Sequence, residues 1–195
     1  MLAVQNDDDD EAPPRPVAPG PEQGLTSAGD NNCWRDSTLQ SSAEDKEMAL
    51  QFSRWFYPMW NSCNPVYPAA AAASVERFSP LHFFAECQLY MLSLVNDAPH
   101  LETFSGAVLV TERLSALVRD EQLIFNPNLE PGGLRGSSDP HGQFVIKARG
   151  TVHRASDIIG MFKQQFALMR DPLAENNWKI KMTRLATRPR QSPIS

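Results

Sequence analysis

The chain has 195 residues, of which 42% are hydrophobic and 21% are charged, and this length and balance predict one globular core rather than two. A formal net charge of −5 argues against a nucleic-acid binder driven by bulk electrostatics, although much of the acid lies in one run, residues 7–11. The 16 prolines exceed what a compact fold of this size usually needs, so they predict irregular segments.

The cysteines and the targeting signals of the sequence indicate in which cellular compartment the protein is expected. Cys33, Cys63 and Cys87 have neither the even count of a disulfide scaffold nor the close pairs of a zinc site, so we expect reduced thiols. The first residues lack the basic and apolar regions of a secretory signal, and no apolar run in the sequence approaches the roughly 18 residues of a membrane span. The sequence therefore predicts a protein of the nucleus, the cytoplasm or both.

Residues 1–43 are predicted to form a disordered tail. They combine an aspartate run with many prolines and glycines and offer little apolar surface to bury. Trp34 is the exception in this tail. It is either a docking point for a partner or an incidental residue, and both interpretations stay open.

An aromatic helix is predicted to begin near Glu44. Ser42 is the expected N-cap, and Pro58 should kink the helix or end it within a turn. The apolar residues follow one helical stripe, which is either plain core or the wall of a ligand pocket. The stripe consists of Met48, Phe52, Trp55, Phe56, Met59 and Trp60.

The middle of the chain is predicted to contain short helices and strands in alternation. Ser79 followed by proline is a favourable start for a short second helix, and residues 89–95 predict a strand. Ser105 is the expected cap of a third helix, Leu123 begins another strand, and residues 126–142 predict a long hairpin loop. The buried stripe of the third helix is predicted to contain Ala107, Val110, Leu114, Leu117 and Val118.

Residues 144–185 predict three antiparallel strands with one apolar face, because apolar residues occupy alternate positions. The predicted inward residues include Phe144, Ile146, Ala148, Val152, Phe162, Phe166, Leu168, Trp178, Ile180 and Met182. The predicted outward residues include Lys147, Arg149, Thr151, Lys163, Gln165, Lys179, Lys181 and Thr183, without an acid among them. Helices must cover the apolar face, so the fold class predicted is α+β.

This order of elements resembles the cone-shaped fold of the nuclear transport factor two-like superfamily, in which N-terminal helices pack on a bent antiparallel sheet. The residues that carry the resemblance are Phe104-Ser105-Gly106 at a helix start, Phe162-x-x-x-Phe166-x-Leu168 and Trp178-x-Ile180. The resemblance covers residues 44–187 and implies a domain of that fold, with residues 188–195 as a second disordered tail.

A closer likeness joins the chain to an uncharacterised animal family that includes a human chromosome 3 open-reading-frame protein. The runs that carry it are residues 126–134, 140–142, 150–154, 174–176 and 178–181. This resemblance implies a domain of unknown function, without an assigned activity or cofactor, and a loose link to regulation of apoptosis.

The leading functional hypothesis is a non-catalytic protein-interaction module. Its predicted binding residues are Lys147, Arg149, Lys163, Lys179 and Lys181, which would form one basic patch on the outer face of the sheet. Such a patch favours an acidic protein partner and disfavours a tight homodimer, because two copies would bring like charges together. We expect neither nucleic-acid nor membrane partners. The alternative is a solvated strand face whose lysines protect the sheet against aggregation.

The second hypothesis is a small-molecule binder or an isomerase-like or dehydratase-like enzyme that uses the interior of the cone. Its candidate pocket residues are His82, Glu86, Tyr90 and Asp97, which form no recognisable dyad in the sequence. No metal site is predicted, because His141 and His153 lie twelve positions apart without a third ligand at a suitable spacing.

Overall fold

The computed structural model describes residues 41–67, 76–95, 98–174 and 177–190. Within them, two helices pack on one seven-stranded sheet, which confirms the predicted α+β class. The elements are α1 (Ala43–Asn61), a 3-10 turn (Pro80–His82), β1 (Phe83–Val95), β2 (Ala98–Ser105), α2 (Ala107–Arg119), β3 (Leu123–Pro127), β4 (Leu134–Ser138), β5 (Phe144–Arg154), β6 (Asp157–Arg170) and β7 (Trp178–Pro189). The greater part of the predicted N-terminal tail, with Cys33 and Trp34, lies outside the described residues, as does Asp97.

The sheet is mixed rather than purely antiparallel. Its strand order is β2-β1-β7-β6-β5-β3, and β4 also pairs with β5. The exception to antiparallel pairing is β1, which runs parallel to β7. Parallel neighbours cannot be joined by a tight hairpin, and here most of the domain lies between the two strands in sequence. The expectation of an all-antiparallel sheet was therefore wrong at this one pairing.

Helix α1 begins and ends where the sequence predicts. The Ser42 hydroxyl accepts a hydrogen bond from the Asp45 N–H at 3.0 Å, and the Asp45 carboxylate accepts one from the Ser42 N–H at 3.0 Å. This reciprocal pair is a capping box, which satisfies two backbone donors at the helix start. Pro58 lies inside the helix, which ends three residues later at Asn61.

The predicted second helix is wrong. Only a 3-10 turn follows Ser79, and β1 begins at Phe83. Buried Cys87, Leu89 and Met91 occupy alternate positions in β1, which is the period of a strand. Ser105 does not cap α2, since Gly106 is the N-cap residue and no side chain caps that end.

A β-bulge at Lys181 changes the predicted parity of β7. Leu168 of β6 pairs with Ile180 and Ala167 pairs with Met182, so Lys181 is the extra residue. Inward positions therefore shift by one after the bulge. Thr183 is fully buried although it was predicted to face outward, and Met182 is only partly buried although it was predicted to face the core.

The core between α1 and the sheet is aromatic. Rings from the helix stripe contact rings from the sheet, with Trp60 stacked on Phe125 at a centroid distance of 4.2 Å and Phe56 edge-on to Phe166 at 4.8 Å. These four side chains are fully buried. The helix also lies directly against β4, because a Cβ at Gly136 would be 2.4 Å from the carbonyl oxygen of Asp45. Of the α1 stripe, Phe56, Met59 and Trp60 are thus core, while the other three residues are partly buried against it.

Candidate interaction surface

Three of the five predicted basic residues share the outer face of the sheet. Lys147 and Arg149 alternate with buried residues of β5, and Lys163 does the same in β6. In the antiparallel pairing of these strands, Lys147 is opposite Gln165 and Arg149 is opposite Lys163. Paired residues project from the same face, so these three cations lie side by side.

Three arginines that sequence reasoning missed extend this group. Arg135 of β4 is opposite Lys147, Arg184 of β7 is opposite Gln165, and Arg188 of β7 is opposite Met161. All three side chains are exposed. We call the six residues together the basic face, which consists of Arg135, Lys147, Arg149, Lys163, Arg184 and Arg188.

The basic face has no carboxylate among the described outward residues of β4, β5, β6 and β7. Neither Lys147 nor Arg149 forms an ion pair with any described residue. The Arg184 guanidinium lies over the ring of Tyr90 on the neighbouring strand β1, 5.5 Å from its centroid. A cation placed over an aromatic face in this way is held in position while it keeps its charge.

Lys179 and Lys181 differ from Lys147 and Arg149, because each is paired with a carboxylate of a described residue. The ammonium of Lys179 is 2.8 Å from Asp171, and Lys181 bonds to Glu86 and lies over the ring of Phe84. The hydrogen bond from Lys179 lowers the pKa of Asp171, and the hydrogen bond from Lys181 lowers the pKa of Glu86. This corner of the sheet is therefore electrically balanced, which the prediction of a patch without acids did not anticipate.

The candidate pocket residues that the structure describes lie apart. His82 belongs to the 3-10 turn, where its Nε2 atom is 3.0 Å from the Arg77 carbonyl oxygen and its ring contacts Trp55 edge-on. Glu86 is paired with Lys181 on an exposed part of β1. The hydroxyl of Tyr90 donates to Gln88 at 2.7 Å. The structure therefore does not bring these three side chains together.

Inside the domain, a hydrogen-bonded chain of three buried polar side chains crosses the aromatic core. The Tyr57 hydroxyl donates to Gln164 at 3.1 Å, and the Gln164 amide donates to the Thr183 hydroxyl at 3.1 Å. Burial raises the pKa of Tyr57. Because each member has a partner, this network is a satisfied structural unit.

An open groove of about 480 Å³ lies beside the first turn of α1, on the helix side of the sheet. Its apolar lining includes Met48, Phe144, Met169 and Trp178, and the guanidinium of Arg170 lies 5.0 Å from the Trp178 ring centroid. Glu44 and Asp45 form its acidic side. None of the three described candidate pocket residues lines this groove.

Across the described ranges, no cluster of three or more His, Cys, Asp and Glu side chains is placed to hold a metal ion. In the same part of the chain, no helix is both long enough and apolar enough to cross a bilayer.

Comparison with known proteins gives a family match over most of the chain. The model of the DUF4518 C-terminal domain matches residues 46–194. Proteins called "Uncharacterized protein C3orf38 homolog" from Rattus norvegicus and Mus musculus are each 34% identical to this chain over 154 residues. Those matches cover 75% of this chain and 43% of each rodent protein, so the chain spans less than half the length of the curated relatives it matches.

Solved structures with a similar chain path include nuclear transport factor 2 from Cryptosporidium parvum. That chain is 15% identical, with 78% of this chain and 100% of that chain covered and a TM-score of 0.49. A chain of the yeast complex of deubiquitinase Ubp3 and its Bre5 cofactor is 13% identical, with 76% and 98% covered and a TM-score of 0.49.

Proposed function

The chain belongs to the DUF4518 C-terminal domain family, and from its sheet we infer that it is a non-catalytic interaction module whose basic face binds an acidic protein segment. The observation that carries this proposal is the placement of the six cations of the basic face on four neighbouring strands, on a chain whose formal net charge is −5. Neighbouring strands lie about 4.8 Å apart, so these charges reinforce one another's potential.

The electrostatics favour an acidic ligand over a second copy of the same face. Like charges directly opposite each other destabilise a sheet, and carboxylates from a partner would relieve that repulsion. Two basic faces brought together would add to it. The module is therefore proposed to bind a different, acidic protein and not to form a tight homodimer through this face.

The absence of catalysis is also part of the proposal. It is supported by the separation of His82, Glu86 and Tyr90, and by the aromatic rings that fill the space between α1 and the sheet. A polar catalytic group needs partners within hydrogen-bond reach of a substrate. The expectation of reduced thiols supports a setting in the nucleus or the cytoplasm, and the family resemblance implies a loose link to regulation of apoptosis.

The proposal is tested with the full chain and a fluorescently labelled oligoglutamate peptide, whose binding is followed by fluorescence anisotropy at low and high salt. We expect binding that weakens steeply with salt, because charges are screened over a Debye length of about 8 Å at physiological ionic strength. Replacing Lys147 and Arg149 together by Gln should weaken binding about tenfold.

The matched control removes two charges elsewhere on the same sheet. Lys179→Gln with Lys181→Gln should change oligoglutamate binding much less, since Asp171 and Glu86 already balance those cations. Binding that ignores salt, equal effects of the two double variants, or no binding by the wild-type chain would overturn the proposal.

A further inference from the structure

The outer face of the sheet changes from basic at β5 and β6 to apolar at β1 and β2. Following the printed strand pairings from the basic face, Lys163 of β6 is opposite Ala186 of β7, Ala186 is opposite Leu92 of β1, and Leu92 is opposite Leu101 of β2. The cations thus give way to leucines within one cross-strand row. Leu101 is 62% exposed on the edge strand, and Leu94 is half-buried beside Leu92 on β1. We call Leu92, Leu94 and Leu101 the apolar strip.

We propose that the acidic segment bound by this surface is also apolar at one end, so that its carboxylates contact the basic face while its hydrophobic side chains cover the apolar strip. This inference rests on the proposed function and specifies its partner. Ala186 lies between Lys163 and Leu92 in this row. Because its side chain is small, a bound segment can pass over β7 at this point and contact both neighbouring strands. The partner is therefore an amphipathic segment that crosses the strands.

The register sets the spacing that the partner must match. Lys163 and Leu92 are two strands apart, which corresponds to about 10 Å across the sheet. An α-helix rises 1.5 Å per residue, so about seven residues, or two turns, separate the acidic and apolar groups of a helical partner. Positions two turns apart lie on one side of a helix, so both groups can contact the sheet together.

The two halves of the surface respond differently to salt. Screening weakens the contacts of Lys147, Arg149 and Lys163 with carboxylates, whereas burial of the apolar strip is not an ionic interaction. A segment that engages both halves should retain more of its affinity at high salt than oligoglutamate does.

Three labelled probes test this inference on the full chain by fluorescence anisotropy. The first is oligoglutamate, the second is a helical peptide with glutamates two turns from a pair of leucines, and the third has the same composition with the leucines placed among the glutamates. We expect the second peptide to bind at least about tenfold more tightly than the third and to be the least sensitive to salt.

Leu101→Ser is the decisive variant, because this exposed side chain can be changed without opening the core. It should remove the advantage of the second peptide and leave oligoglutamate binding unchanged, with circular dichroism confirming that the variant is folded. Equal binding of the second and third peptides overturns this inference alone. Failure of every acidic probe to bind overturns the proposed function as well. A wild-type dimer in sedimentation velocity that Leu101→Ser converts to a monomer would show that a second copy covers the strip instead.

Discussion

Arg149 of β5 and Lys163 of β6 are directly opposite each other on the outer face of the sheet. Like charges in opposed positions of an antiparallel pair reduce its stability. The sheet therefore places two like charges side by side at the centre of the basic face. Under the proposed function, a carboxylate of the bound segment placed between the two cations would turn repulsion into attraction.

The pairing of Arg149 with Lys163 predicts that one substitution raises the stability of the domain and weakens its binding of acidic peptides. Arg149→Glu places opposite charges across the same pair and should raise the free energy of unfolding by roughly 0.2–1 kcal/mol, while it weakens oligoglutamate binding. The measurement is urea denaturation together with anisotropy. Arg149→Gln is the control, and it should fall between the wild type and Arg149→Glu in both properties. A less stable Arg149→Glu variant would contradict the proposed repulsion.

The side chain of Asn61 acts as a partner for strand β3. Its Nδ2 atom donates to the Phe125 carbonyl oxygen at 2.9 Å, and its Oδ1 atom accepts from the Phe125 N–H at 3.0 Å. Both residues are buried. Asn61→Ala should lower the free energy of unfolding by about 2–4 kcal/mol, because it removes two hydrogen bonds and leaves buried backbone groups unpaired.

The control for Asn61→Ala comes from the exposed side of the same helix. Gln51→Ala removes one surface hydrogen bond to Glu47 and should change stability by less than about 0.5 kcal/mol. Equal unfolding free energies for the two variants would show that the contact between α1 and β3 is not what holds this region together.

The Tyr57–Gln164–Thr183 chain should behave as one unit. Gln164→Leu leaves the hydroxyls of Tyr57 and Thr183 without their observed partner, and it should lower the free energy of unfolding by about 2 kcal/mol or more. In the Gln164→Leu background, Tyr57→Phe should lower the free energy of unfolding by less than it does in the wild type, because the hydroxyl that it removes has already lost its observed partner. Strictly additive losses in a double-mutant cycle would refute this coupling.

The capping box predicts a pH dependence of stability. Burial raises the pKa of Asp45, but hydrogen bonds from Ser42 and Ser138 to its carboxylate outweigh burial and hold the pKa below its ordinary value of 3.8. A lowered pKa in the folded state adds stability that is present above the unfolded-state pKa and is lost as pH falls through the folded-state value. Asp45→Asn should therefore be less stable than the wild type near neutral pH, and the gap should close as pH falls below about 3.8. Urea midpoints for both chains across that range are the measurement, and a gap that stays constant would contradict it.

Much of the fold could be predicted because its signals are local. The Ser42 cap fixed the start of α1, and strict alternation fixed β5 and the inward face of β6. The start of β1 could not be predicted, because Ser79 followed by Pro80 suits a helix as well as a 3-10 turn. The choice depends on distant pairing, such as Phe83 with Ile180.

The candidate surface could be predicted only in part, for the same reason. The outward positions of Lys147, Arg149 and Lys163 follow from the alternation of apolar and polar residues. The bulge at Lys181 reverses this alternation in β7, so the outward positions of Arg184 and Arg188 could not be predicted. Arg135 was missed because the glycine and serines of β4 have weak strand propensity, and β4 depends on its pairing with β5.

The location of the proposed binding surface is tested most directly by a two-dimensional amide NMR titration of the full chain with oligoglutamate. The basic-face proposal predicts that the largest chemical-shift changes map to residues 147–149, 163–165 and 184–188, and that they disappear when Lys147 and Arg149 are both replaced by Gln. Changes concentrated at the groove beside α1, or at Lys179 and Lys181, would contradict it.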